Sequence, residues 1–183
     1  MRKITVIFKK GNDRLPNNYR PISITPILYR LFSRILLARI HKKLDDAQSK
    51  DQAGFRPEFG CVDHLFTVTA IAEKANEFRI PLWIATVDFQ KAFDSVEHVA
   101  IWRALLDQGV EPAYVTLLQR LYEGQEATVQ TDRRSAPFNI EKGTKQGDPI
   151  SPILFNAVVE HFMKKLKQHW KKKKFGYKIN EFA

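Results

Sequence analysis

Leu82-Trp83-Ile84-Ala85-Thr86-Val87 is a near-continuous apolar run, and it ends at Asp88. A run of that length and composition predicts a buried central strand, which needs a sheet around it. The flanking segments are helical in period. From Ile27 to Leu44, apolar residues fall at Leu28, Leu31, Phe32, Ile35, Leu36 and Ile40, with Arg30, Arg34, Arg39, Lys42 and Lys43 on the remaining positions. Further helices are expected over Val62 to about Phe78, Val96–Asp107 and Pro112–Tyr122. Gly109 and Gly124 follow the last two as stop signals. Ser151-Pro152 reads as a capping hydroxyl with proline at the first helical position, opening a helix to about Lys173. Short strands are expected at Ile4–Phe8, Ala127–Thr131 and Pro137–Ile140, and Phe175–Ile179 begins another. Glycine-bearing loops occupy Gly54 to Gly60 and Gly143 to Pro149. No internal repeat or low-complexity linker interrupts this order, which is mixed α+β.

Composition narrows the class. Hydrophobic residues are 44% and charged residues 27% of the 183, which excludes a disordered or collagen-like chain. The single cysteine, Cys61, excludes a disulfide framework and a multi-thiolate zinc site, and is expected to be a small packed residue. No run approaches the ~20 apolar residues of a membrane span. The start, Met1-Arg2-Lys3-Ile4-Thr5-Val6, lacks the form of a secretory signal. The expectation is an intracellular protein, cytoplasmic or nuclear, neither secreted nor membrane-bound. Its +10 net charge is unevenly placed: +9 over residues 1–50, −6 over 51–163 and +7 over 164–183. Basic ends attract polyphosphates, and an acidic centre between them suits carboxylates that hold divalent cations against phosphate. A solvated surface of mixed charge is the plainer alternative, and Lys171-Lys172-Lys173-Lys174 also suits a helix end.

Asp88 is the most informative single residue. A carboxylate directly after a buried strand stands where α/β active sites are commonly placed, although a turn aspartate is the plainer reading. Three other segments bear on the choice. They are Val6-Ile7-Phe8-Lys9-Lys10-Gly11 with Asn18-Tyr19-Arg20-Pro21-Ile22-Ser23-Ile24; Asp51-Gln52-Ala53-Gly54-Phe55-Arg56-Pro57; and Gly143-Thr144-Lys145-Gln146-Gly147-Asp148-Pro149-Ile150-Ser151-Pro152. With Ala85–Asp94 they stand in the order and spacing of one family. Over roughly residues 5–180 the chain resembles the reverse transcriptase domain of non-LTR (LINE-type) retrotransposons.

The resemblance implies a right-hand polymerase fold. Residues 1–80 would form fingers, and residues 81–183 part of a palm built on an antiparallel sheet packed with helices, with the thumb absent. It implies an RNA-directed DNA polymerase with RNA template, DNA primer and dNTPs as partners and Mg²⁺ (Mn²⁺ possible) as cofactor. Asp88 matches the first metal-ligating palm aspartate, and Phe89 the neighbour whose backbone carbonyl reaches a metal. Lys9, with Lys10 as the alternative one residue on, and Arg20 match contacts to the incoming triphosphate. A compact ammonium and a bidentate guanidinium suit that task. Phe93 matches the residue beneath the nucleotide sugar, though a core phenylalanine is the plainer reading. Gln146 matches a residue near that sugar. Arg30 and Arg56 match positions that face nucleic acid; a solvated helix arginine and a loop brace are the respective alternatives. Asp94 reads as a structural acid. A group II intron-type reverse transcriptase shares the Gly-Phe-Arg-Pro and Gln-Gly-x-Pro-x-Ser-Pro patterns and is the alternative, as is a non-catalytic nucleic-acid-binding remnant.

One family motif is missing from the sequence. An aromatic-x-Asp-Asp hairpin should follow the Ser151 helix and one short strand, yet no Asp-Asp pair occurs after Asp88. Asp45-Asp46, the only adjacent pair, lies at the end of a fingers helix. One carboxylate holds two hydrated Mg²⁺ ions poorly, so the expectation is a truncated fragment, inactive or nearly so alone.

Overall fold

In the computed structural model, residues 2–175 are described. The chain opens with a β-hairpin: β1 (Arg2–Phe8), a 3-10 turn at Pro16–Asn18, and β2 (Tyr19–Ile24). Two long helices follow, α1 (Ile27–Ala47) and α2 (Cys61–Glu77). After an extended passage come α3 (Ala92–Ser95), α4 (His98–Asp107) and α5 (Pro112–Tyr122). β3 (Glu126–Gln130), β4 (Phe138–Asn139) and α6 (Ser151–Lys173) complete the order.

The core is helical. Leu36, Ile40 and Leu44 of α1 meet Ile101, Ala104 and Leu105 of α4, Val115 and Leu118 of α5, and Leu154 and Ala157 of α6. Each set recurs at three- and four-residue spacing, so each helix turns one apolar stripe inward. Gln108, buried at the end of α4, donates to the Ala157 carbonyl at 2.7 Å and ties α4 to α6.

The four strands stand in the order β2-β1-β3-β4. β1 pairs antiparallel with β2 from Lys3↔Ile24 to Phe8↔Tyr19, and β3 pairs antiparallel with β4. β1 and β3 run parallel, Arg2↔Ala127 to Thr5↔Gln130. The expected antiparallel sheet is therefore mixed: after the hairpin, a largely helical crossover of some 101 residues separates β2 from β3, and it returns the chain parallel to β1. The sheet takes two strands from within residues 1–80 and two from within 81–183. No strand is expected from the sequence at Tyr19–Ile24, yet β2 forms there with Pro21 inside it. β2 is an edge strand, where a missing N–H costs no ladder bond.

The expected central strand is absent. Leu82 to Val87 carries no strand pairing, and Trp83 is 94% exposed. A strand exists only with a neighbour, and among the described residues none pairs with this one. Ser151 lies inside α6 rather than capping it; its hydroxyl donates to the Lys145 carbonyl at 2.8 Å. Cys61 is exposed at the start of α2, not packed. Of the strand expected at Phe175–Ile179, all beyond Phe175 lies outside the described residues.

Candidate nucleotide site

A cavity of about 510 Å³ opens beside the turn of the β1–β2 hairpin. Lys9 and Arg20 line it from that hairpin, Phe89, Lys91, Phe93 and Asp94 from the passage into α3, and Gln146 from the loop before α6. Lys9, Arg20, Phe93 and Gln146, singled out in sequence as nucleotide contacts, therefore share one space.

The wall segments are tied to one another. Lys9 N–H donates to the Asn18 carbonyl at 2.8 Å, which closes the hairpin turn. Asn18 Nδ2 donates to the Asn12 carbonyl at 2.8 Å, and the Tyr19 hydroxyl to the Asp13 carbonyl at 2.7 Å. The Phe93 carbonyl accepts from Thr144 N–H at 2.6 Å and from its hydroxyl at 3.3 Å. Gly143 N–H donates to the Val96 carbonyl at 2.7 Å, and its carbonyl meets His98 Nε2 at 3.0 Å. Ser23 N–H donates to the Gln146 carbonyl at 2.9 Å. The Gly143–Pro149 loop thus joins β2 to α3.

Phe93 is half-buried in an aromatic group. Its ring centroid is 4.9 Å from that of Phe155 and 5.8 Å, edge-on, from that of Phe55. This fixes the ring's place on the cavity wall, with geometry typical of attractive aromatic pairs.

Lys91 went unread in the sequence. It takes a left-handed backbone conformation (φ 49°) at the cap of α3, and its ammonium donates to Asn17 Oδ1 at 3.0 Å across the cavity. A lysine beside a family aspartate looks like any solvated lysine; only the turn reveals its direction. Lys9, Arg20 and Lys91 give the cavity three cations. Burial pushes the Asp94 carboxyl above its ordinary range, opposed by Arg2, Lys91 and Lys9.

Asp88 is exposed and does not line this cavity, whereas Phe89 does. Its carboxylate is the oxygen donor type that magnesium takes. Among the described residues no group of three or more His, Cys, Asp or Glu side chains is placed to hold a metal ion. Asp88 fits as one ligand, but the described residues do not complete a site around it.

Arg30 is exposed on α1. Arg56 takes the structural role: Nε bonds Asp45 Oδ1 at 2.8 Å, and Nη1 bonds the carbonyls of Ser49 and Gln52 at 2.8 and 3.1 Å. The guanidinium stands 4.0 Å from the Phe59 ring centroid. With its side chain 8% exposed and these bonds made within the loop and to Asp45, Arg56 braces its loop.

Comparison with known proteins adds ancestry. The family described as "Reverse transcriptase (RNA-dependent DNA polymerase)" matches residues 7–182. The chain is 34% identical over 167 residues to the retrovirus-related Pol polyprotein from type-2 retrotransposable element R2DM of Drosophila melanogaster, covering 91% of this chain and 16% of that protein. It is 30% identical over 163 residues to the Pol polyprotein from type-1 retrotransposable element R2 of Popillia japonica, covering 88% and 23%. It is 32% identical over 161 residues to the RNA-directed DNA polymerase from mobile element jockey of Drosophila funebris, covering 84% and 17%. The chain thus spans about a quarter or less of the length of these relatives.

Proposed function

The chain belongs to the reverse transcriptase (RNA-dependent DNA polymerase) family and is homologous to the polymerases of non-LTR retrotransposons, and from that membership we propose that its 510 Å³ cavity receives a deoxynucleoside triphosphate for RNA-templated DNA synthesis. One observation carries the reading. Lys9, Arg20, Phe93 and Gln146, spread over nearly 140 residues of sequence, converge on a single cavity.

The side chains divide the task by chemistry. Arg20 offers a planar fork to a phosphate, and Lys9 and Lys91 offer point charges. The Phe93 ring, held by Phe55 and Phe155, underlies the sugar and leaves no room for a 2′-hydroxyl. Gln146 meets the sugar from the opposite loop. Residues 1–80 serve as fingers and 81–183 as part of the palm; both contribute walls to the cavity. Asp88 and the Phe89 carbonyl are the groups that would hold magnesium or manganese, which supplies charge neutralisation at the reacting phosphate. Because the described residues hold no group of three or more metal-ligating side chains, the 183-residue segment is proposed to bind nucleotide and to extend a primer poorly by itself.

The exposed cations of α1 favour a second role for the same chain, nucleic-acid binding without synthesis. Two measurements on the purified chain separate the readings. Calorimetric titration with dATP should give binding that Arg20→Ala weakens about tenfold, the loss of one charge-assisted contact. Primer extension on an RNA template with Mg²⁺, against Asp88→Asn, reports synthesis. A folded chain that binds primer–template but no dATP would remove the nucleotide-site reading.

A further inference from the structure

A second cavity, of about 330 Å³, lies at the open end of the β1–β2 hairpin, between the start of α1 and the turn from α5 to β3. Arg2, Tyr29 and Lys145 line it. Arg2 donates from Nε to the Ser23 hydroxyl at 2.6 Å, and from Nη2 to the same oxygen. Lys145 is 5% exposed. Its ammonium donates to the Tyr29 hydroxyl at 2.5 Å and lies 4.1 and 5.0 Å from the ring centroids of Tyr29 and Tyr122.

Among the described residues, neither cation has a carboxylate within ion-pair distance. Asp148 is a buried anion that acts on both through space: its Oδ1 accepts from the Ser33 hydroxyl and Ile150 N–H, and its Oδ2 accepts from neither cation. Glu126, the acid on the cavity lining, is exposed at the rim. Burying cations without a paired anion is costly. Lys145 registers that cost: burial pulls its ammonium down to about 8. Arg2 cannot escape by losing its proton. A guanidinium and an ammonium thus converge on a space of ligand size whose one lining acid, Glu126, makes no ion pair with either.

We infer that this cavity binds a phosphate group, held by the Arg2 guanidinium and the Lys145 ammonium. Phosphate oxygens accept from both donors, and a doubly charged phosphate offsets both cations. The site does not depend on the polymerase reading. Its phosphate has two sources, free phosphate or the backbone of a nucleic acid. β2 leads from Arg20 in the first cavity to Ile24 in the second, about 13 Å at the strand rise, so one strand could pass both.

The test reads Lys145 directly. The intact chain is acetylated near pH 8 with a limiting reagent, and the extent at each lysine is read by mass spectrometry. Probes are inorganic phosphate, an oligoribonucleotide without terminal phosphate, and sodium chloride at matched ionic strength. Saturating phosphate should slow Lys145 labelling at least about threefold while Lys171–Lys174 stay unchanged, and Arg2→Gln should abolish the protection. Protection by the oligonucleotide at much lower concentration identifies backbone phosphate; protection by inorganic phosphate alone identifies a free anion. Equal labelling with every probe, or protection matched by chloride, overturns the inference in the wild-type chain alone. So does protection that persists in a folded Arg2→Gln chain.

Discussion

Gly143 is where two backbones meet most closely. Its φ is +86°, and a Cβ there would fall 2.8 Å from the Asp94 carbonyl oxygen and 2.9 Å from Asp94 Cα. Neither atom belongs to a side chain that can turn aside. Gly143→Ala should therefore lower stability by about 2 kcal/mol or more, combining the left-handed penalty with overpacking. Chemical denaturation measures it, and a change within ±0.5 kcal/mol would contradict the contact. Lys145 makes a different residue-scale prediction. Burial lowers its folded value to about 8 from an ordinary 10.5. Between the two values the unfolded chain holds the proton and the folded chain does not, so stability rises with pH across that window. Below about pH 8 both states are protonated and the penalty is full, of the order of 3 kcal/mol. Tyr122, pushed up to about 12, and Tyr29, also raised, act in the opposite sense only above about pH 10, where unfolded tyrosine ionises. In phosphate-free buffer, denaturation midpoints should climb from pH 8 to 10, and Lys145→Met should flatten that climb while stabilising the chain at pH 7. Neither Lys145 nor Lys91 stood out in the sequence, because a lysine's role here depends on burial and turn geometry that no spacing encodes.

At the scale of elements, local signals carried well and non-local ones did not. Pro112–Tyr122 and the end of α6 near Lys173 stand where periodicity and stop signals put them, because capping, proline and stripe all act within a few residues. β1, β3 and β4 were legible to within two residues. β2 was missed, since Pro21 is tolerated only by virtue of the strand's edge position. Leu82–Val87 failed in the opposite direction: its composition is that of a strand, but strand formation requires a partner supplied by another part of a chain. Lys9, Arg20, Phe93 and Gln146 were singled out by motif, and their shared cavity depends on bonds that the motif order only implied, from Ser23 N–H of β2 to the Gln146 carbonyl and from Thr144 N–H to the Phe93 carbonyl of α3. The unpaired state of 82–87 has a direct consequence. Its backbone amides should exchange with solvent near the rate of unstructured chain, while those of α4 and α6 exchange only through large opening events. Hydrogen–deuterium exchange by mass spectrometry compares them in one experiment. Protection of 82–87 equal to that of α4 would mean that the segment has found a strand partner.

For the whole molecule, the governing quantity is where the charge lies. The first 50 residues carry +9, and the structure sets Arg30, Arg34, Arg39, Lys42 and Lys43 in the open along α1 while Leu36, Ile40 and Leu44 turn to the core. One side of that helix is therefore fixed in place, and the open side carries these cations alongside exposed apolar residues such as Leu28, Leu31 and Ile35. The last turn of α6 adds Lys171, Lys172 and Lys173, which also complement the helix dipole. Cations on a rigid helix lose little freedom on meeting a phosphate backbone, whereas lysines at a helix end are already served by the carbonyls beside them. Binding to single-stranded RNA should accordingly weaken with salt, each phosphate contact contributing a slope of about −0.7 in a plot of log affinity against log salt. Arg30→Gln with Arg34→Gln should reduce the slope by about 1 to 1.5, with the fold intact because both side chains are exposed. Replacing Lys171, Lys172 and Lys173 by Gln should change it less, despite removing one more charge. Fluorescence anisotropy from 50 to 300 mM salt distinguishes the two surfaces. An equal or larger loss from the α6 replacement would place the strand along the C-terminal helix rather than along α1.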